Sequence, residues 1–108
     1  MIHELRCYHS MPGRKVDLLR RFATGTFALF ERHGFKLLFF WDRPGGDELW
    51  YVLEWHSQEA MYEAWETFKK DESWATLKSA SEAQGPLVRN VESIVLAPLP
   101  APHERGAC

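Results

Sequence analysis

Residues 2–9 alternate, with Leu5 and Cys7 sharing a face with His3 and His9, and Ile2, Glu4, Arg6 and Tyr8 sharing the other. Alternation with a period of two predicts a strand. Met11-Pro12-Gly13 supplies a turn after it. Over 14–33 the period changes: Val16, Leu19, Ala23, Phe27 and Phe30 recur at helical spacing, and Leu18, Phe22 and Leu29 widen the stripe. Gly34 suits a left-handed cap after this helix. Thr24-Gly25-Thr26 lowers helix propensity at its centre, so a bend is expected there. Residues 36–42 are a continuous apolar run, which predicts a strand buried on both faces. Residues 43–47 read as a hairpin connection. In the next strand, 48–56, Leu49, Tyr51, Leu53 and Trp55 line one face while Trp50 and Val52 lie on the other.

Ser57 suits the N-cap of a helix that puts Ala60, Met61, Ala64, Trp65 and Phe68 on one face. Asp71 can cap a second segment carrying Trp74, Leu77 and Ala80, and Gly85-Pro86 stops it. Val91, Ile94, Val95 and Leu96 mark a last strand over 88–97. The domain is therefore read as 1–97. The stretch 98–108, with Pro98, Pro100 and Pro102 and no apolar periodicity, is read as a flexible Pro-rich tail.

The order is β-α-β-β-α-β. With right-handed crossovers it predicts an α+β, ferredoxin-like fold: a four-stranded antiparallel sheet with two helices on one face. The other face of such a sheet should carry polar residues if it meets water. The second and third strands instead put aromatics and leucines on both faces, and an exposed patch of that size is a liability. The expected remedy is a second copy packed sheet to sheet, giving a homodimer with a shared barrel-like core, a dimeric α/β-barrel.

Composition narrows the function classes. The chain has 108 residues, 45 % hydrophobic and 26 % charged, which suits one soluble globular domain. Its net charge is −2, from 13 Lys plus Arg and 15 Asp plus Glu, where a nucleic-acid binder should show a basic surplus. The charge is unevenly spread: residues 1–36 hold 7 bases and 3 acids, residues 37–108 hold 6 bases and 12 acids. That reads as two oppositely charged solvated helix faces. No apolar run approaches a membrane span, and the opening Met1-Ile2-His3-Glu4-Leu5-Arg6 lacks the apolar stretch of a signal peptide. Cys7 and Cys108 match no metal-binding spacing and are not expected to pair, so a reducing cytoplasm is the expected location.

The segment from Met1 to Tyr8, Met-Ile-His-Glu-Leu-Arg-Cys-Tyr, followed by Pro12-Gly13, resembles the opening of the NIPSNAP family. Further matches in order are Arg32-His33-Gly34, Lys36-Leu37, Phe40-Trp41, Asp47-Glu48, Trp55 to Ser57, Asp71 with Trp74, and Leu96 with Pro98, covering about residues 1–98. The resemblance implies a dimeric α/β-barrel. It implies little chemistry, because the short members of the family have mostly no established activity and the larger eukaryotic ones are mitochondrial. The sequence departs from the family pattern at Tyr51, where many members have His, at Leu53, where many have Trp, and at Phe39, which replaces a frequent Gly.

Candidate chemistry concentrates on the first strand. Glu4, Arg6 and Tyr8 would place a carboxylate, a guanidinium and a phenol at intervals of about 7 Å along one face. If that face lines the barrel, Arg6 could bind an acidic substrate or hold Glu4 ionised, and Tyr8 could donate or accept a proton. The competing reading is an internal Glu4–Arg6 pair that only satisfies buried polar groups. Tyr51 joins these as a candidate acid or base, and Trp55, Leu53 and Leu49 as a ligand-facing wall, against the alternative of core packing. Glu92 is a further acid that could face the barrel. His3, His9, His33, His56 and His103 show no zinc-binding spacing and are read as structural or surface residues. No metal and no cofactor are expected.

The preferred reading is a cytoplasmic homodimer of unestablished molecular activity, whose barrel could bind a small apolar or aromatic ligand. The alternatives are a cofactor-free monooxygenase or isomerase acting on an aromatic substrate, by analogy of fold, and a structural module without a ligand. A haem-degrading enzyme would look to helix-borne histidines, and residues 57–84 contain none.

Overall fold

A computed structural model describes residues 1–100, so His103, Cys108 and the tail beyond Pro100 lie outside the described residues. Strand β1 (Ile2–Ser10) leads through α1 (Lys15–Arg21), a π-helical turn over Phe22–Thr26 and α2 (Phe27–Arg32) into β2 (Lys36–Asp42) and β3 (Glu48–Trp55). Helices α3 (Gln58–Lys69) and α4 (Glu72–Ser81) precede β4 (Val88–Leu96). The sheet has the order β2-β3-β1-β4 and every neighbouring pair is antiparallel. This is the ferredoxin-like arrangement, with the two central strands β1 and β3 carrying the chemistry-bearing positions.

Local signals explain most boundaries. The Ser57 hydroxyl accepts from the Ala60 N–H at 3.1 Å, and the Asp71 carboxylate accepts from the Ser73 N–H at 2.7 Å. Each satisfies an N–H that the first helical turn leaves without a partner. Gly34, at φ 77°, turns the chain out of α2 in a conformation that a Cβ would strain. The bend expected at Thr24-Gly25-Thr26 takes the form of the π turn, where the Thr26 hydroxyl donates to the Arg21 carbonyl at 3.3 Å. Gly25 is required by packing: a Cβ there would sit 2.5 Å from Cδ2 of Leu77 on α4.

The apolar run of β2 has a specific geometry. Leu37 pairs with Leu53 and Phe39 with Val52, so Leu38 is an extra residue on β2. Such a bulge resets which residues face which side. Leu37 and Phe40 turn to the helices and join the core, while Phe39 and Trp41 turn to the open face and stack there with ring centroids 5.2 Å apart. The core lies between sheet and helices and includes Leu18, Phe22, Phe30, Leu49, Tyr51, Leu53, Met61 and Phe68.

Candidate functional site

Pairing parity decides which face each candidate occupies. Glu4, Arg6 and Tyr8 oppose Leu53, Tyr51 and Leu49 on β3, and Val95, Ser93 and Val91 on β4. All of them lie on the side of the sheet where the chain's own helices pack, since Trp65 of α3 bonds to Glu4, although Val91, Ser93 and Val95 on the edge strand β4 remain exposed. From the alternation alone this face could line a barrel between two sheets, with Glu92 as a further acid there. Glu92 instead opposes Cys7 and lies on the opposite, open face. The alternation allows either assignment, and only the side on which the helices pack settles it.

Glu4 is 1 % exposed and its carboxylate is saturated. Oε1 accepts from the indole N–H groups of Trp55 at 2.9 Å and Trp65 at 2.8 Å. Oε2 accepts from Arg6 Nη1 at 3.0 Å and from the Ser93 hydroxyl at 2.5 Å. Burial alone would raise the pKa of this carboxyl. The bonds from Ser93, Trp65 and Arg6, together with the Arg6 charge, outweigh burial and hold it below its ordinary value. An anion fixed by four donors is a poor base, so Glu4 acts here as the anchor of Arg6.

Arg6 also donates to two phenols. Its Nε donates to the Tyr51 hydroxyl at 2.9 Å and its Nη2 to the Tyr8 hydroxyl at 3.2 Å. The guanidinium carbon also lies 4.2 Å from the centroid of the Trp65 ring, close enough for a cation–π contact. Burial disfavours the charge, but the oxygens of Tyr8, Tyr51 and Glu4 stabilise it and the pKa of Arg6 is raised. Tyr51 is fully buried, and burial followed by the neighbouring Tyr8 oxygen pushes its pKa well above the ordinary phenol value despite Arg6. It therefore stays protonated and donates to the Tyr8 oxygen at 3.1 Å. The Tyr8 oxygen accepts from both Arg6 and Tyr51, which leaves its own proton free to donate.

That proton has a place to go. Tyr8 and Arg6 form the floor of a cavity of about 500 Å³ between the sheet and the helices. Phe30, Trp65, Phe68 and Trp74 give it aromatic walls, and Thr26 of the π turn and Val88 and the exposed Val91 of β4 also line it. Arg21, Lys69, Lys78 and Glu82 bring charge to it. Leu49, Leu53, Tyr51 and Trp55 are buried behind it as core and are not among its lining residues. Arg21, Thr26 and Lys78 carry no sequence motif, and Trp65 and Trp74 stand out there only as apolar positions of two helical segments. One signal was available: Arg21 lies one turn beyond Leu18 within an apolar helical stripe, where a charge needs a reason.

The open face is built differently. Cys7, His9 and Glu92 lie together on it, with His9 Nε2 2.7 Å from Glu92 and 3.5 Å from the Cys7 sulfur. The Cys7 thiol is pushed up to about 11 by burial and by the nearby Glu92, Glu48 and Asp47 charges, which leaves it an unreactive neutral thiol. His3 meets Glu54 and His33 meets Asp71, so each of these histidines has a carboxylate partner.

The match to known proteins follows this geometry. The NIPSNAP family model matches residues 3–102. The chain belongs to the NIPSNAP family. Solved NIPSNAP structures share its fold. A NIPSNAP domain protein from Burkholderia xenovorans is 15 % identical, with a TM-score of 0.79 over 96 % of this chain and 100 % of that one. A NIPSNAP family protein from Agrobacterium tumefaciens is 17 % identical, with a TM-score of 0.78 over 91 % of this chain and 92 % of that one. A monooxygenase from the ActVA-Orf6 gene of Streptomyces coelicolor, solved with the ligand nanaomycin D, is 15 % identical, with a TM-score of 0.66 over 96 % of this chain and 92 % of that one. No curated protein matches the sequence significantly. No described helix of this NIPSNAP protein is long and apolar enough to cross a membrane.

Proposed function

We propose that this NIPSNAP protein works as a homodimer in which each subunit holds a small aromatic ligand in the cavity between its sheet and its helices. The observation that carries the reading is the aromatic-walled space of about 500 Å³ floored by Arg6 and Tyr8. A concave, mostly apolar site with a few convergent polar groups is the usual form of a small-molecule site. Such a space also weighs against a purely structural module. Dimerisation is supported by Phe39, Trp41, Ile94 and Leu96, all of which leave large apolar surface on the open sheet face. A reducing cytoplasm suits the buried free thiol of Cys7.

Calorimetric titration with 2-naphthol tests the ligand reading. One molecule should bind per chain, and Val91→Trp, which fills the cavity from β4, should abolish binding. Absence of binding, or binding unchanged by Val91→Trp, would overturn the reading.

A second reading is favoured by the Arg6–Tyr51–Tyr8 cluster. A phenol that accepts from two fixed donors can pass its proton to a ligand oxygen that gains charge. This suits cofactor-free oxygenation, in which O2 converts a ring methylene to a carbonyl and releases water. Oxygen uptake with anthrone should then exceed the uncatalysed rate and fall at least tenfold in Tyr8→Phe. Uptake equal to the background would remove this reading and leave the binding reading standing.

A further inference from the structure

Arg21 is a buried charge that is only partly paired: its carboxylate partner among the described residues, Glu82, stands at 3.3 Å. It is 4 % exposed at the end of α1, where the π turn begins, and it lines the ligand cavity. Only Nη1 bonds to other side chains, to Ser81 Oγ and Glu82 Oε2, each at a long 3.3 Å. Its Nε is buried without any hydrogen-bond partner. Buried donors are paired in nearly all folded proteins, so Arg21, a residue of the cavity wall, retains unused donor capacity.

The rest of the cavity wall restricts what that acceptor is. Four cations, Arg6, Arg21, Lys69 and Lys78, face one carboxylate, Glu82. Arg6 is committed to Glu4, Tyr8 and Tyr51. Lys69 is paired with Glu66. Lys78 has no ion-pair partner among the described residues. The cavity lining thus offers two kinds of polar group, the Tyr8 hydroxyl and the cations Arg21 and Lys78. Trp74 lies beside Arg21, with its ring centroid 5.2 Å from the Arg21 guanidinium carbon.

We propose that the ligand is an aromatic carboxylate whose acid group is received by Arg21 and Lys78 while its ring lies among Tyr8, Phe30, Trp65 and Trp74. A guanidinium suits this task because its planar N–H groups match the two oxygens of a carboxylate. The inference rests on the cavity being a ligand site and adds the charge of the ligand.

The test is calorimetric titration of the full chain at neutral pH with 2-naphthoate and with its neutral analogue, naphthalene-2-carboxamide. The acid should bind at least tenfold tighter than the amide. Lys78→Gln, a change at an exposed side chain, should reduce that preference severalfold. Arg21→Gln should abolish the preference and Arg21→Lys should restore part of it. Because a change at a buried arginine can unfold the chain, circular dichroism accompanies those two variants, and Lys78→Gln decides if they do not fold. Equal binding of acid and amide overturns this inference and leaves the cavity reading intact. A preference that Lys78→Gln and the folded Arg21 variants leave unchanged also overturns it. Failure of both probes to bind overturns the cavity reading and this inference together.

Discussion

The indole N–H of Trp65 on α3 donates to the Glu4 carboxylate on β1 at 2.8 Å, joining the helix layer to the centre of the sheet. The same carboxylate oxygen accepts from Trp55, and its neighbour accepts from Arg6 and Ser93. One buried anion therefore ties together β1, β3, β4 and α3. It also fixes the arginine that orients Tyr51 and Tyr8. Glu4→Gln removes the charge opposite Arg6, and its amide N–H2 faces donors. Breaking a buried ion pair from one side typically costs about 3–5 kcal/mol. Urea denaturation should register a loss of that order for Glu4→Gln and a smaller one of about 1.5–3 kcal/mol for Ser93→Ala, which removes one hydrogen bond to a charged group.

Acid sensitivity follows from the same residue. Glu4 is held below its ordinary value of 4.5 in the folded chain. A depressed carboxyl contributes stability that is present above the unfolded pKa and is lost as pH falls through the folded one. Asp71, lowered chiefly by its bonds to Arg32 and His33, acts with the same sign. Stability should therefore decline as pH drops below about 4.5. Asp71→Asn should shallow that decline, as read by thermal melts across pH 2–7. A decline equally steep in Asp71→Asn would exclude Asp71 from it.

Cys7 sets a limit at high pH. Its thiol is raised from 9.0 to about 11, so the neutral form is the one the fold favours. The contribution is full below 9.0 and is lost as pH rises toward about 11. In a Cys108→Ser background, Cys7 should react with a disulfide reagent at pH 8 far more slowly than in the unfolded chain. Cys7→Ser should flatten the alkaline loss of stability, because a hydroxyl does not ionise in that range. Rapid labelling of the folded protein would contradict the burial of this thiol.

Gly25 and Leu77 should be energetically coupled. Gly25→Ala places a methyl group where the Leu77 side chain now sits. Overpacking of this kind costs about 1–3 kcal/mol, against a helix-propensity gain of roughly 1 kcal/mol for replacing glycine. The single change should destabilise. Leu77→Ala should offset part of that loss, so a double-mutant cycle in urea should give a favourable coupling between the two changes. Additive losses would mean that α4 yields without cost at this contact.

The proposed dimer has a direct readout. One chain has a mass of 12.6 kDa, and sedimentation equilibrium at micromolar concentration should return twice that value. Trp41→Glu should return a single chain mass with the helix content unchanged, because Trp41 lies on the open face and outside the core. Wild-type sedimentation at the mass of one chain would remove the dimer while leaving the intrachain cavity untouched.

The strands, the helices, their order and the bend at Thr24–Thr26 were legible from periodicity, capping residues and glycine. These signals are local, acting over a few residues of the chain. The resemblance of the Met1–Tyr8 opening and the later matches to NIPSNAP proteins was also legible, as was the apolar excess on both sides of the sheet. The side of β1 that meets the helices was not, since alternation is symmetric until a second layer packs against it. The bulge at Leu38 was hidden for a related reason: a run of five apolar residues carries no phase. The cavity depended on residues from six elements, with Arg21 and Lys78 on helices far apart in sequence. Only the packing of those helices across the sheet brings the two cations to one wall, because burial and proximity are properties of the assembled layers.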